Sequence, residues 1–222
     1  MSAESPLCNR NASRFQLIET LRWQPQSGFL RLDRHLARLA LSAKELGFAC
    51  DTNKAAQALE QAIVNKNTPQ RMRLLLGPDG QVEASAQPFQ PLAHNTIWTL
   101  KLAKTQLSSQ NPLIRHKTTQ RALYERARAE YAPAQADEVL LQNERGQICE
   151  GTITSLFVDM GNAVLTTPPL ACGVLAGVLR GELIAQGRAV EGIVTPESLQ
   201  MAQKIFVGNS LRGLIRACLS LR

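Results

Sequence analysis

A polar segment, residues 105–112, divides the chain into two halves that each combine strand and helix patterns. Strand patterns occur in both halves: residues 15–23, 28–32, 71–76, 81–86, 96–102, 138–142, 153–159, 163–165 and 204–207. Helical spacing of apolar side chains also occurs in both: residues 33–46, 51–63, 119–131, 175–186 and a short stretch after Thr195. This mixture predicts an α/β (α+β) chain with two subdomains, residues 1–108 and 109–222.

Local signals predict where several of these helices begin and end. Asp33 is predicted to cap the first helix and Gly47 to end it, because a short acceptor suits an N-cap and glycine suits the left-handed residue after a helix. Asp51 or the residue after it begins the second helix. Thr195 followed by proline predicts a third capped start. The strand at residues 204–207 is predicted to be the last one in the core.

Composition excludes several classes of protein. No run of about 20 apolar residues is present, so no membrane span is predicted. Residues 1–10 lack the apolar region of a secretory signal, and the five cysteines are scattered, which predicts a cytoplasmic chain with reduced thiols. Cys149 and Cys172 are interpreted as packing residues. His35 and His116 lack partners at metal-ligand spacing, so no metal site is predicted.

The formal net charge of +7 favours anionic partners. The basic residues are spread along the chain, without a basic run and without interleaved aromatic side chains. A single-stranded nucleic acid needs aromatic stacking platforms in a basic groove. We therefore expect a small anionic cofactor and a small anionic substrate rather than nucleic acid.

A lysine and a glutamate occupy positions that suit one cofactor. Lys117 lies just before a predicted helix, and Glu150 follows 33 residues later, ahead of a predicted strand. Pyridoxal phosphate enzymes need a lysine for the Schiff base and an acid that keeps the pyridine nitrogen protonated. This ordered pair predicts pyridoxal 5'-phosphate as the cofactor.

Further motifs occur in a family's order over nearly the whole chain, about residues 15–217. They are Leu36-Ala37-Arg38-Leu39, Glu150-Gly151, Leu165-Thr166-Thr167-Pro168, Gly173-Val174-Leu175-Ala176-Gly177-Val178 and Phe206-Val207-Gly208-Asn209-Ser210. Together they resemble the class IV aminotransferases, the fold type IV pyridoxal phosphate enzymes. That family includes branched-chain and D-amino-acid aminotransferases and 4-amino-4-deoxychorismate lyase. The resemblance implies a D-amino-acid aminotransferase-like fold and a homodimer.

The resemblance also implies roles for individual residues. Lys117 would be the catalytic Schiff-base lysine and Glu150 the acid at the pyridine nitrogen. The phosphate would be bound by Arg38, by the backbone N–H groups of Val178 and Leu179, and by the turn at Asn209 and Ser210. Arg34, one turn earlier on the helix of Arg38, is the competing candidate for the phosphate.

The chain departs from the family pattern at three places. Leu179 stands where members often carry threonine, and Ser155 stands where many carry asparagine. About 14 residues precede Phe15, so the resemblance implies a shortened N-terminus. These departures leave open a cofactor-binding protein without catalysis as one alternative.

The branch within the family is predicted from two turns. Residues 209–213 resemble the turn of aminodeoxychorismate lyases, and residues 77–81 lack the arginine that some relatives use to clamp a substrate carboxylate. Both features favour the lyase, which releases pyruvate and 4-aminobenzoate. A D-amino-acid or branched-chain aminotransferase remains the main alternative.

Overall fold

The computed structural model describes residues 15–220. The expected short N-terminus and the missing secretory pattern fall on residues outside that range. Contacts group the described residues into two compact units. The first unit contains the residues up to Gln90 together with His116–Gln120, and the second contains Pro91–Arg115 and the residues from Arg121 onward.

The first unit is an antiparallel sheet with two helices. Its strands, in the spatial order β2-β1-β3-β4, are β1 (Leu17–Gln24), β2 (Gly28–Phe29), β3 (Gln70–Leu76) and β4 (Val82–Pro88). Its helices are α1 (Leu32–Leu46) and α2 (Thr52–Ala62). The buried side chains of the strands are mostly apolar, and Leu21, Met72 and Leu74 are buried together with Leu39 and Leu59 of the helices.

The helix ends confirm two of the local predictions and correct one. Gly47 ends α1 with a φ of 73°, a left-handed conformation that glycine adopts without strain. Asp51 caps α2 by accepting bonds from the backbone N–H groups two and three residues ahead. The prediction that Asp33 caps α1 is wrong. Arg31, with a φ of 61°, precedes the helix, and Asp33 lies in the first turn, where its charge favours the helix dipole.

The second unit is built on an eight-stranded mixed sheet in the order β10-β9-β8-β11-β12-β5-β6-β7. Its strands are β5 (Ile97–Leu107), β6 (Glu138–Asn143), β7 (Ile148–Gly151), β8 (Ser155–Asp159), β9 (Leu165–Thr167), β10 (Ala189–Glu191), β11 (Lys204–Asn209) and β12 (Gly213–Leu219). Because β7 also pairs with β8, six of these strands close into a ring. The helices are α3 (Ala122–Ala129), α4 (Val178–Ala185) and α5 (Pro196–Met201). As predicted, Thr195 caps α5, in a capping box with Ser198.

Long-range pairing changes two features expected from the sequence. The contacts divide the chain differently from the predicted boundary between residues 108 and 109, because β5 hydrogen-bonds to β6 and β12 and continues into the polar segment. The prediction that residues 204–207 form the last core strand is wrong, since β12 follows and pairs with β11. In β12 the buried Ile215 and Ala217 alternate with the exposed Arg216 and Cys218, an alternation that signals a strand.

The core of the second unit lies inside and beside the ring of strands. The fully buried side chains include Leu100, Leu140, Ile148, Leu156 and Val207. Among residues 15–220, no helix is long and apolar enough to cross a membrane.

Candidate functional site

The backbone of Lys117 is fixed against the first unit's sheet. The N–H of Ile18 in β1 donates to the carbonyl oxygen of Lys117 over 2.8 Å, and Thr118 forms an antiparallel bridge with Leu17. Lys117 itself is half-buried. The lysine is therefore held by a rigid strand, which suits a group that must stay aligned with a reacting atom.

His116 attaches the same segment to helix α1. One ring nitrogen lies 3.0 Å from Ser42 Oγ and the other 3.3 Å from a carboxylate oxygen of Glu45. Both ring nitrogens of His116, the residue before Lys117, therefore have side-chain partners within the protein. No group of metal-binding side chains occurs in the described part of the chain.

Arg38 belongs to a buried charge network on the helix side of β1. Its Nε donates to Glu19 Oε1 over 2.8 Å and its Nη2 to Glu19 Oε2 over 2.5 Å, while His35 Nδ1 lies 2.6 Å from Oε2. Burial acts to raise the pKa of Glu19, but Arg38 and the hydrogen bonds from both partners outweigh it and hold the pKa at about 2. Burial also lowers the pKa of His35. Glu19 therefore stays ionised and fixes the plane of the Arg38 guanidinium.

Lys117 and Arg38 form hydrogen bonds with consecutive residues of β1. Lys117 bonds to Ile18 through the backbone, and Arg38 pairs with Glu19 through its side chain. Sequence reasoning missed Glu19, although its pairing with Arg38 spans only 19 residues. The sequence does contain a signal for Glu19, which is an ionisable side chain on the buried face of a predicted strand.

We expect Arg38→Ala to lower the free energy of unfolding by about 3–5 kcal/mol at neutral pH. The substitution breaks a buried ion pair and leaves the Glu19 carboxylate without its main partner. Chemical denaturation followed by circular dichroism measures this change. Arg34→Ala is the matched control, because Arg34 is exposed on the same helix, and it should change stability by about 0.5 kcal/mol or less.

At acidic pH, the wild type and Arg38→Ala should no longer differ in their free energy of unfolding. Since the pKa of Glu19 falls from 4.5 to about 2 on folding, its stabilising contribution is present above pH 4.5 and is lost as the pH falls toward 2. A difference in stability that stays constant through this range would contradict the role given to Glu19.

Glu150 is a buried carboxylate in β7 of the second unit. Tyr124 Oη donates to Oε1 over 2.7 Å, and the backbone N–H of Leu175 donates to Oε2 over 3.1 Å. Burial first, and then the charge of Glu150, raise the pKa of Tyr124 well above its ordinary value, so the phenol stays a donor. The Arg121 guanidinium lies 4.8 Å from the centre of the Tyr124 ring. These contacts fix the direction of the carboxylate.

Close steric contacts explain why a glycine, Gly151, follows Glu150. A Cβ on Gly151 would lie 2.4 Å from Thr154 Oγ1 and 2.7 Å from the carboxylate of Glu138. Glu138 is fully buried and accepts hydrogen bonds from the loop that follows Gly151: Thr152 N and Oγ1, Ile153 N and Thr154 Oγ1. Sequence reasoning missed Glu138 and Tyr124. Both position the Glu150 segment, Glu138 through the loop and Tyr124 by direct contact.

The start of helix α4 lies beside β8 and β11. No side chain caps the helix at Gly177. A Cβ on Gly177 would lie 2.7 Å from Ser155 Oγ, and one on Gly208 would lie 2.9 Å from Leu179 Cδ2. Glycine at both positions lets these segments approach closely and leaves a helix N-terminus that suits a phosphate.

The predicted phosphate residues differ in what their side chains do. Val178 and Leu179 are buried, and the Leu179 side chain packs in the core with Phe157 and Leu183, so only their backbone N–H groups suit an anion. The structure brings Leu179 next to Gly208, which directly precedes Asn209. Helix α4 and the turn between β11 and β12 are therefore neighbours.

The side chain of Asn209 shapes the turn between β11 and β12. Its Oδ1 accepts from the backbone N–H groups of Leu211 and Arg212, and its Nδ2 donates to the carbonyl of Ile153. Ser210 is buried. The amide of Asn209 thus joins this turn to the loop that follows Glu150, and a role for it in binding phosphate stays a prediction.

Cys149 and Cys172 are buried in one apolar cluster, which agrees with packing roles. Burial raises the pKa of both thiols. A thiol whose pKa is raised is a poor nucleophile at neutral pH.

Each unit, taken by itself, carries groups that suit one part of pyridoxal phosphate. The first unit offers an anchored lysine and a fixed guanidinium, and the second offers a buried, oriented carboxylate and a helix N-terminus flanked by glycines. These are the amine, the acid and the anion-binding elements that this cofactor requires.

The chain is similar to several known proteins. The model of the family described as amino-transferase class IV matches residues 16–219. A solved structure from Mesorhizobium loti, named a "Putative amino-acid aminotransferase", is 58% identical, with a TM-score of 0.91 over 93% of this chain and 100% of that one. A Schizosaccharomyces pombe protein named "Putative aminodeoxychorismate lyase" is 31% identical over 85% of this chain and 83% of its own length.

A more distant structure shares the fold. The 4-amino-4-deoxychorismate lyase of Pseudomonas aeruginosa is 23% identical, with a TM-score of 0.79 over 99% of this chain and 88% of its own. The predicted mixed α+β fold of type IV is thereby confirmed. The chain belongs to the amino-transferase class IV family, whose members depend on pyridoxal phosphate.

Proposed function

We propose that this protein is a pyridoxal phosphate-dependent lyase that converts 4-amino-4-deoxychorismate into 4-aminobenzoate and pyruvate. The observation that carries this choice is the similarity to a relative named for that activity, which extends over 85% of this chain. The turn at residues 209–213, which resembles that of the lyases, supports it.

The cleft beside the Lys117 segment also supports the lyase. It is lined by Phe15, Gln16, Gly77, Pro78, Asp79, Gln81, Glu83 and Thr119. This set contains two acids and no basic side chain, so the turn after β3 offers no arginine clamp for the α-carboxylate of an amino acid. Asp79 instead accepts from the backbone N–H of Gln81 and stabilises the turn.

An aminotransferase is the second candidate. The solved structure that is 58% identical is named as one, and both reactions begin with removal of a proton next to the substrate's amino group. A lyase completes its reaction without a second substrate, whereas an aminotransferase needs a 2-oxo acid to accept the amino group. This difference separates the two candidates.

Each residue then has a definite task. The cofactor, when bound, supplies an electron sink for the charge left by a broken C–H bond. Lys117 Nζ would hold the cofactor covalently and, when free, would move the proton. The Glu150 carboxylate would hold a proton on the pyridine nitrogen, and Tyr124 and the Leu175 N–H orient that carboxylate. Arg38 and the N–H groups of Val178 and Leu179 would bind the phosphate, with the turn at Asn209 and Ser210.

The decisive experiment uses the purified protein with its cofactor. Enzymatically generated aminodeoxychorismate should yield 4-aminobenzoate and pyruvate in equal amounts, without an added 2-oxo acid. A second reaction contains D-alanine or leucine with 2-oxoglutarate. Amino transfer there, with no 4-aminobenzoate above the uncatalysed background, would replace the lyase by the aminotransferase. Cofactor binding without turnover in either reaction would favour a non-catalytic protein.

We further infer that the protein acts as a homodimer, because the family resemblance implies one. Sedimentation equilibrium of the purified chain should give twice the monomer mass. A monomeric mass across the concentration range would contradict this inference.

A further inference from the structure

The first unit's sheet carries three arginines on the face opposite its helices. Glu19 of β1 contacts helix α1, so its neighbours in the strand, Thr20 and Arg22, point to the other side. In the register with β3, Arg22 lies opposite Arg71, and Thr20 lies opposite Arg73. Residues opposite each other in an antiparallel pair share a face. We call Arg22, Arg71 and Arg73 the arginine face.

Like charges at this spacing are unfavourable by themselves. Directly opposite side chains have Cβ atoms about 4.5–5.5 Å apart, and like charges placed there destabilise a sheet. No ion pair engages these three arginines within residues 15–220. Glu83 of β4 is exposed on the same face and forms no ion pair with them. A bound anion would relieve this repulsion.

Part of the arginine face is sheltered from solvent at Arg22. Its Nε is buried without a hydrogen-bond partner, and its guanidinium lies 5.3 Å from the centre of the Phe89 ring. Burial, together with the charge of Arg31, lowers the pKa of Arg22. A buried donor without a partner is costly unless a ligand supplies the acceptor.

We propose that the arginine face binds the carboxylates of a small dicarboxylate, the substrate class of the reaction proposed above. Arginine matches a carboxylate with two parallel hydrogen bonds, and neighbouring arginines on two strands suit two carboxylates on one small molecule. This proposal rests on the proposed function for the identity of the substrate. A polyanion fits less well, because three arginines on two short strands with one nearby ring provide no extended basic track.

The test measures ligand binding without turnover. Glutarate and valerate have the same chain length and differ in one carboxylate. Isothermal titration of the cofactor-loaded protein should show glutarate binding about ten- to a hundredfold more tightly than valerate, the gain expected from charge-assisted bonds. Arg22→Gln and Arg73→Gln should each reduce that preference by about tenfold, and Arg73→Lys should have a smaller effect. Thermal denaturation checks that each variant folds.

The matched control is Lys54→Gln, which removes one positive charge from an exposed position of α2 in the same unit. It should keep the preference for glutarate. Equal binding of both acids to the wild type, or an unchanged preference in the arginine variants, overturns the proposal. Displacement of glutarate by single-stranded DNA at lower concentration would assign the face to a polyanion and overturn it as well.

The same variants separate this proposal from the lyase assignment. If they raise the KM for aminodeoxychorismate about tenfold or more, both stand. If 4-aminobenzoate forms with an unchanged KM, the arginine face fails and the lyase stands. If the wild type forms no 4-aminobenzoate but the glutarate preference falls in the variants, the face stands and the lyase fails.

Discussion

Replacing Lys117 with alanine should abolish covalent attachment of the cofactor and reduce turnover by at least about 10²–10⁴-fold, the usual contribution of a positioned proton-transfer group. The physical reason is the double role proposed for Nζ, which would both hold the cofactor and move the proton. Borohydride reduction followed by peptide mass spectrometry locates the modified lysine. The wild type should carry the reduced cofactor on the peptide that contains Lys117.

The backbone geometry predicts that Lys117→Ala folds normally. The contact with β1 uses the Lys117 carbonyl, which alanine retains, and the half-buried side chain leaves no core cavity. Lys54→Ala, on exposed α2, is the control and should keep both attachment and turnover. A reducible adduct that persists in Lys117→Ala would move the role to another lysine.

Replacing Glu150 with glutamine should lower kcat by about 10²- to 10³-fold while leaving covalent attachment largely intact. A neutral amide cannot hold a proton on the pyridine nitrogen as a carboxylate does, and attachment depends on Lys117 instead. In the glutamine variant the amide oxygen can take the place of Oε1 and still accept a hydrogen bond from Tyr124. The amide NH₂ then takes the place of Oε2 and faces the N–H of Leu175, so that two donors oppose each other. Turnover and the absorbance of the bound cofactor as a function of pH measure the effect.

Two further variants test whether the effect is specific to Glu150. Tyr124→Phe removes one donor to Glu150 and should cost about tenfold in kcat, the value of a single hydrogen bond to a charged group. Glu125→Gln changes an exposed carboxylate next to Tyr124 and should have no measurable effect. Equal loss in Glu150→Gln and Glu125→Gln would remove the specific role from Glu150.

Local features of the chain were predictable because their causes lie within a few residues. The caps at Asp51 and Thr195 and the end of α1 at Gly47 depend on adjacent backbone groups. The order of the Lys117 and Glu150 segments with the other motifs was sufficient to recognise the family that the comparisons show.

The sequence by itself therefore determined the family and the fold class, and it supplied the roles proposed for Lys117 and Glu150. Only the tertiary structure decided the partners of the buried charges. Glu19 pairs with side chains 16 and 19 residues away, Glu150 with Tyr124 26 residues earlier, and Glu138 with a loop that begins 14 residues later. One strand and two helices lie in the chain between Arg22 and Arg71, which the register sets opposite each other. Strand pairing and charge pairing join residues distant in sequence, and a local pattern of side chains does not specify which ones meet.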